Sequence, residues 1–572
     1  MTSRIQAEPR QVMAQPDDDH LAAAAADSIL GANPFVGINR RDLRQATGAW
    51  LGALLREPAE VARVAGSAGK ELALVAAGRS CIAPLAGDRR FADPAFSEHP
   101  GYRRLMQAYL VGSSAARELV DRADLGPLVK RRAAFAVQLL TEAAAPTNLL
   151  PGNPAALKRA FDTAGMSLVR GGRNRVHDIR HNRGMPAQVD PRPFKVGESL
   201  AVSPGAVVHR DEVFELIQYA PTLPRVRSRA VLVVPPQVNK FYFADLAPGR
   251  SFFEHSIAAG QQVFTISWRN PTAAQRDWGL GTYVEACKRA IGVVCDITGV
   301  PDCNLVGFCA GGMTMATLLG HLAAGGDERV HSATFAVTVL DLDTPSTLGM
   351  FVSDQAVASA AMASRRRGVL EGSELAQVFA WMRPNDLVWN YWVNNYLLGK
   401  NPPGFDILFW NNDTTRLPAT FHSEMLDVLT SNALMLPGKL EVLGTPIDLR
   451  RPSLDTYVVA GITDHITPWK GCFATTSLLG ERAQFVLTSS GHIQSLVNPP
   501  GNPKSHFFAD GPMGEGPDQW LAGATQQKGS WWDHWLTWIG ARSGPMHRAP
   551  AALGNQDHPP LMAAPGRYVH QL

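Results

Sequence analysis

Apolar residues recur at intervals of three and four from about Asn39 to Gly171, with Leu43, Ala46, Trp50, Leu51, Leu54 and Leu55 at the start and Tyr109, Leu110, Leu119, Phe135 and Leu139 further on. That spacing predicts an all-helical region. Arg173 to Val196 is rich in Arg, His, Pro and Gly and reads as a linker laid along the next domain. From Gly205 the period changes. Ala206–Val208 and Val213–Tyr219 predict a hairpin, and short apolar strands follow at Ala230–Val234, Gln262–Ser267, Asn304–Phe308, Ser332–Leu340, Thr456–Ala460 and Gln484–Leu487. Helical stretches such as Ser251–Ala259 and Thr282–Ile297 fall between them. An antiparallel start followed by β-α-β alternation predicts an α/β fold, a mostly parallel sheet with helices on both faces.

One gap breaks this rhythm. Between Leu340 and Thr456 no convincing parallel strand occurs, and a stretch of that length is too long for a loop in a compact domain. It is expected to be an inserted cap. Its aromatics, among them Trp381, Trp389, Tyr391, Trp392, Tyr396, Phe405, Phe409 and Trp410, either form the cap's own core or line a lid and an apolar tunnel. Beyond the last sheet strand, Trp531, Trp535 and Trp538 fall at helical spacing behind Ser530, a good N-cap. The resulting division is a disordered N-terminus (1–25), a helical domain with its linker (26–190), a core in two parts (191–340 and 455–543), the cap (341–454) and a mobile tail (544–572).

The charge balance narrows the function. Lys plus Arg number 54 against 51 Asp plus Glu, so nucleic acid has no electrostatic claim as the main partner. Lys130-Arg131-Arg132 and Arg365-Arg366-Arg367 read as solvated helix faces. Six cysteines (Cys81, Cys287, Cys295, Cys303, Cys309, Cys472) lack metal spacing and are too few for a disulfide framework, which favours a reducing cytoplasm. His177 and His181 stand four apart, but the acidic partner of a zinc H-E-x-x-H motif is missing. No metal site, secretion signal or membrane span is expected.

The chemistry centres on Leu305 to Met315, where an apolar strand runs into Gly307-Phe-Cys-Ala-Gly311. Gly-x-Cys-x-Gly fits a nucleophile elbow with Cys309 in the place usually held by serine. The plain alternative is a glycine-rich turn with a buried cysteine. An elbow on this topology takes its acid and then its histidine from later strand ends. Asp464 follows Tyr457-Val-Val-Ala-Gly-Ile-Thr, and His492 follows Phe485-Val-Leu-Thr-Ser-Ser-Gly. His492 would take the thiol proton of Cys309 while Asp464 fixes the imidazole tautomer. Competing bases are His465, His506 and His534; Asp341 and Asp343 compete for the acid, and Asp464 has the ordinary alternative of capping the turn before Thr467-Pro468. The oxyanion would be met by the amides of Ala310, at the helix start, and Val238, in the loop Pro235 to Lys240. Attack on a thioester by a thiolate makes another thioester, so a cysteine suits an enzyme that hands an activated acyl group to an alcohol.

Several further stretches belong together: Asn239-Lys-Phe-Tyr242, Ser267-Trp-Arg-Asn-Pro271, Gly307-Phe-Cys-Ala-Gly-Gly312, Arg383-Pro-Asn-Asp-Leu-Val-Trp-Asn-Tyr391, Phe409-Trp-Asn411, Asp464-His-Ile-Thr-Pro-Trp469, Gly491-His-Ile and Asn498-Pro-Pro500. With them the chain resembles the polyhydroxyalkanoate synthases of the single-polypeptide type. The resemblance implies an α/β-hydrolase fold with an inserted cap and a helical N-terminal domain. It implies that Cys309 carries a growing polyester as a thioester, that His492 activates it, and that Asp464 assists attack by the 3-hydroxyl. The substrate implied is (R)-3-hydroxyacyl-CoA, with CoA released and no separate cofactor. A homodimer on cytoplasmic polymer granules, beside phasin-type proteins, is also implied. Lys504 aligns with a basic position that in the family contacts CoA phosphates; lysine in place of arginine keeps the charge but not bidentate binding, and a solubilising surface lysine is the alternative. Two other readings compete: a cysteine-dependent hydrolase of the dienelactone hydrolase or thioesterase kind, and a catalytically idle hydrolase fold that binds granules.

Overall fold

The computed structural model describes residues 40–85, 87–343, 354–374, 381, 384–464, 466–479 and 482–572. Eleven strands form one sheet: β1 (Gly205–Arg210), β2 (Phe214–Tyr219), β3 (Val231–Val234), β4 (Val263–Trp268), β5 (Cys303–Phe308), β6 (Val330–Ala336), β7 (Asp455–Gly461), β8 (Ala483–Thr488), β9 (His506–Ala509), β10 (Thr525–Lys528) and β11 (Met562–Ala563). Their spatial order is β10-β9-β8-β7-β6-β5-β3-β4-β2-β1-β11. The run from β8 to β4 is parallel, and the pairs outside it are antiparallel. The parallel strands are buried on both faces, which is why Val231-Leu-Val-Val and Leu305-Val-Gly-Phe read as unbroken apolar runs. This is the α/β-hydrolase arrangement expected, with β5 near the centre.

Differences from expectation fall where the local pattern is weak. Strand β6 stops at Ala336, four residues short of the predicted Leu340. The helix Met166–His181 runs through the first part of the expected linker, so Arg173 to His181 is helical and the extended connection begins only afterwards. Arg132, expected on a solvated face, is buried and lies 3.3 Å from Asp42, because its helix turns that edge inward. The tail from Gly544 is not loose. Met546–Arg548 pairs with Arg225–Arg227, β11 pairs with β1, and the Arg567 and Tyr568 amides donate to the buried Glu215 carboxylate at 2.8 and 2.9 Å. Proline and glycine set its turns, while these specific bonds hold it against the sheet.

The helical N-terminal region runs from Arg40 to His181 in the described residues. It leans on the cap: Asn174 Nδ2 donates to the Asn395 and Lys400 carbonyls, Trp392 Nε1 donates to Asn148 O, and the Arg175 guanidinium sits 4.5 Å over the Trp392 ring. The cap has no long strand among its described residues, only the two-residue pairs Val369–Leu370 with Leu417–Pro418 and Glu441–Val442 with Thr445–Pro446. Of its aromatics, Tyr391, Tyr396 and Trp410 are buried and act as core, while Trp381 is exposed. The helix Trp531–Gly540 has Ser530 as its N-cap, accepting from Trp532 N, and buries Trp531, Trp535 and Trp538 against the sheet. The first 39 residues, including the stretch expected to be disordered, lie outside the described residues.

Candidate active site

Strand β5 ends at Phe308 and the helix Ala310–Ala324 begins two residues later, leaving Cys309 to make the turn alone. It does so at φ 50°, ψ −121°, a region that side-chain-bearing residues rarely occupy and that strained functional turns do. Its amide is pinned to Ala336 O at 3.0 Å. Two glycines make the geometry feasible. A Cβ on Gly307 would come within 2.7 Å of Gly312 Cα, and one on Gly311 within 2.3 Å of Val234 O. Cys309 is half-buried, and Ala310 opens the helix, where the first amides have no partner within it. The close approach at Gly311 also brings the loop after β3 against the elbow. Pro235 O, held by Trp268 Nε1 at 2.9 Å, lies beside it, and Val238 follows three residues on.

His492 and Asp464 come together beside this turn. His492 Nδ1 lies 2.7 Å from Asp464 Oδ2, and both side chains are buried. Burial disfavours the charged ring, but the Asp464 carboxylate and then the Cys309 sulfur outweigh it and push the imidazole up to about 10. Burial likewise works against the charged carboxylate, yet His492 and the Thr467 hydroxyl and amide hold Asp464 below the usual carboxylate range. His492 Nε2 has no nitrogen or oxygen partner within the described residues, and the Cys309 sulfur is the neighbour that acts on the ring besides Asp464. Gly491 has φ −83°, so its turn does not require glycine.

Asp464 makes two sets of contacts. Its Oδ1 accepts from the Ile466 and Thr467 amides at 2.9 and 3.0 Å, capping the turn, while Oδ2 serves His492. Thr467, overlooked in the sequence, donates its hydroxyl to Asp464 Oδ2 at 2.6 Å; its place three residues after an Asp is the signal for it. Also unforeseen is an ion pair between the buried Lys240 and the partly buried Asp413, 2.6 Å apart.

The competing residues are occupied elsewhere. Asp341 accepts from Asn432 Nδ2 at 2.9 Å, and Asp343 is exposed. His534 bonds Tyr457 OH at 2.9 Å and packs on Phe507; His506 opens β9. His465 lies outside the described residues. Lys504 is exposed on the turn before β9, with its amide bonded to Asn502 Oδ1 and no ion pair among the described residues. The His177 and His181 rings lie 4.4 Å apart on one helix, and the described residues contain no metal-holding cluster. No helix among them is long and apolar enough to cross a membrane.

The chain is similar over nearly its whole length to known proteins. Residues 87–256 fit the family model "Poly-beta-hydroxybutyrate polymerase (PhaC) N-terminus", and residues 244–499 fit that of the alpha/beta hydrolase fold. Poly(3-hydroxyalkanoate) polymerase 1 of Ectopseudomonas oleovorans is 48% identical over 559 residues, covering 98% of this chain and 100% of that protein. Poly(3-hydroxyalkanoate) polymerase 2 of the same organism is 47% identical over 95% of this chain and 97% of its own. The polymerase subunit PhaC of Cupriavidus necator is 40% identical over 84% of this chain and 83% of its own. The chain belongs to the poly(3-hydroxyalkanoate) polymerase family, enzymes of the acyltransferase type built on an α/β-hydrolase fold.

Proposed function

We propose that this enzyme joins (R)-3-hydroxyacyl-CoA monomers into a polyhydroxyalkanoate polyester and releases CoA, with Cys309 carrying the growing chain. The supporting observation is the buried Asp464–His492 pair beside the half-buried Cys309 thiol on its strained elbow, in a chain of this family. His492 Nε2 takes the thiol proton, and the thiolate attacks the acyl-CoA carbonyl. The amides of Ala310 and Val238 meet the oxyanion. As the carbonyl–sulfur bond to CoA breaks, the imidazolium returns the proton to the leaving sulfur. A monomer's 3-hydroxyl then gives its proton to His492, which Asp464 steadies, and attacks the enzyme thioester; the ester forms, the proton returns to the Cys309 sulfur, and the lengthened chain, now a CoA thioester, is taken back onto Cys309 by the same exchange with release of its CoA. Thioester exchange is nearly isoenergetic, and ester formation draws the sequence forward.

On this reading CoA enters and leaves with the substrate, and the exposed charge of Lys504 pairs with its phosphates. A homodimer at the granule surface in the cytoplasm, beside phasin-type proteins, belongs to the same reading through family resemblance. The test is purified enzyme with 3-hydroxybutyryl-CoA. CoA release accompanied by turbid polymer is expected, and Cys309→Ala should abolish both without unfolding the protein. Free 3-hydroxybutyrate in place of polymer would select a hydrolase, and no turnover at all would select an idle scaffold.

A further inference from the structure

The loop that carries Val238 is pinned to a short stretch of the cap, where Trp410 Nε1 also donates to Lys240 O at 2.7 Å. Thr415 Oγ1 donates to Gln237 O at 2.7 Å, Asn239 and Thr414 form an antiparallel bridge, and Lys240 Nζ meets Asp413 at 2.6 Å. The three contacts run in opposite chain directions, 237 to 240 against 415 to 413, so the cap supplies a short antiparallel partner to the loop. From the same loop Gln237 Nε2 reaches inward to Thr314 Oγ1 at 3.0 Å, and Thr314 Oγ1 reaches Ala310 O at 3.3 Å. Gln237, Thr314 and Thr415 are 3%, 0% and 5% exposed, so water cannot readily replace these bonds.

We infer that Thr415, Gln237 and Thr314 form a brace that sets the spacing of the two oxyanion amides, Val238 and Ala310, and thereby makes cap residues 413–415 part of the oxyanion apparatus. This rests on the roles proposed above for Cys309, Ala310 and Val238. The brace starts on the cap at Thr415, passes through the Gln237 carbonyl into the peptide that carries the Val238 amide, and continues from the Gln237 side chain through Thr314 to the Ala310 carbonyl, one peptide beyond the Ala310 amide in the same first helical turn. An oxyanion donor acts only if it is held near 2.7–3.1 Å from the developing charge. A brace linking both donors fixes that distance without touching the substrate, so these are positioning residues. It also ties the chemistry to cap placement: a displaced cap releases Gln237 O and loosens one wall of the hole.

The test uses isosteric removal and rescue in the full chain. Thr415→Val and Thr314→Val each delete one hydroxyl, while Thr415→Ser and Thr314→Ser keep it. Alkylation of Cys309 by iodoacetamide, followed on the Cys309 peptide, displaces iodide and develops no oxyanion. Release of CoA from 3-hydroxybutyryl-CoA does develop one. We expect the valine variants to lose about tenfold or more in kcat with KM within about twofold, consistent with a displaced rather than deleted donor. Alkylation should stay within about twofold, and serine should restore turnover. Unchanged kcat, alkylation falling in step with turnover, or serine variants as poor as valine ones would each overturn the brace. Acetylation of Cys309 by p-nitrophenyl acetate gives the same comparison without a polymerase substrate. A wild-type enzyme inert to acyl-CoA would therefore remove the polymerase reading and leave acetylation to decide the brace.

Discussion

Gly171 lies so close to the Tyr396 carbonyl that a Cβ there would stand 1.8 Å from the oxygen. This is where the helix Met166–His181 meets the cap, and no side chain fits between the two backbones. Gly171→Ala should therefore pry the two apart while leaving the sheet intact. The expected outcome is faster amide exchange across residues 384–400 with little change in β3 to β8. Exchange unchanged in that segment would mean that the cap does not depend on the N-terminal region for its position. Gly112, with nothing within 4 Å of a Cβ, provides the opposite control. Gly112→Ala in the helix Pro100–Arg122 should stabilise by about 0.5–1 kcal/mol.

Gly311→Ala tests the elbow. A methyl group would meet Val234 O at 2.3 Å and Pro235 O at 2.6 Å, backbone atoms that cannot rotate away. The helix start must shift from the loop, which separates Ala310 from Val238. Turnover should fall by about a hundredfold or more, on the scale of a lost oxyanion donor. Near-normal kcat in a folded variant would show that the close approach is dispensable.

Lys240 is buried and Asp413 partly buried, so removing the lysine leaves the carboxylate without its countercharge. Lys240→Met should destabilise by about 3–5 kcal/mol, and pairing it with Asp413→Leu should recover most of that loss. Tyr242 OH, which donates to Asp413 at 2.9 Å, loses its acceptor in the double variant and keeps the recovery incomplete. Denaturant midpoints of the wild type and these two variants decide the matter.

The His492–Asp464 pair predicts a pH signature. The raised imidazole contributes stability in full below its unfolded value, near 6.5, and loses it as pH climbs toward about 10. The lowered carboxylate contributes above its unfolded value of 3.8 and loses this as pH falls through its lower folded value. Asp464→Asn removes the carboxylate's contribution and the larger part of the imidazole's, leaving only what Cys309 supplies. The gap in melting temperature between wild type and variant should thus be widest between about pH 4 and 6.5, shrinking on either side. A gap independent of pH would mean that the pair is not ionic.

The parallel core was legible because buried strands write themselves as apolar runs bounded by turns, and Val231–Val234 and Cys303–Phe308 appear within a residue of where the pattern puts them. The meeting of His492 with Asp464 could be anticipated from their places at successive strand ends, although no spacing fixes the 2.7 Å between them. What stayed hidden was carried by polar residues far apart in sequence. Thr415 and Gln237 are 178 positions apart, and neither belongs to an apolar pattern. Strand β10, Thr-Gln-Gln-Lys, has no apolar face, and the two-residue β11 is too short to leave a period. Such elements exist through their partners, so only the assembled chain reveals them.

Those two inconspicuous strands are the outermost of the sheet. One offers only two residues and the other is polar, exposed and ends in lysine, so neither rim gives an incoming chain a template for main-chain zippering. If many copies crowd onto one surface, they can touch through side chains without fusing into a continuous ribbon.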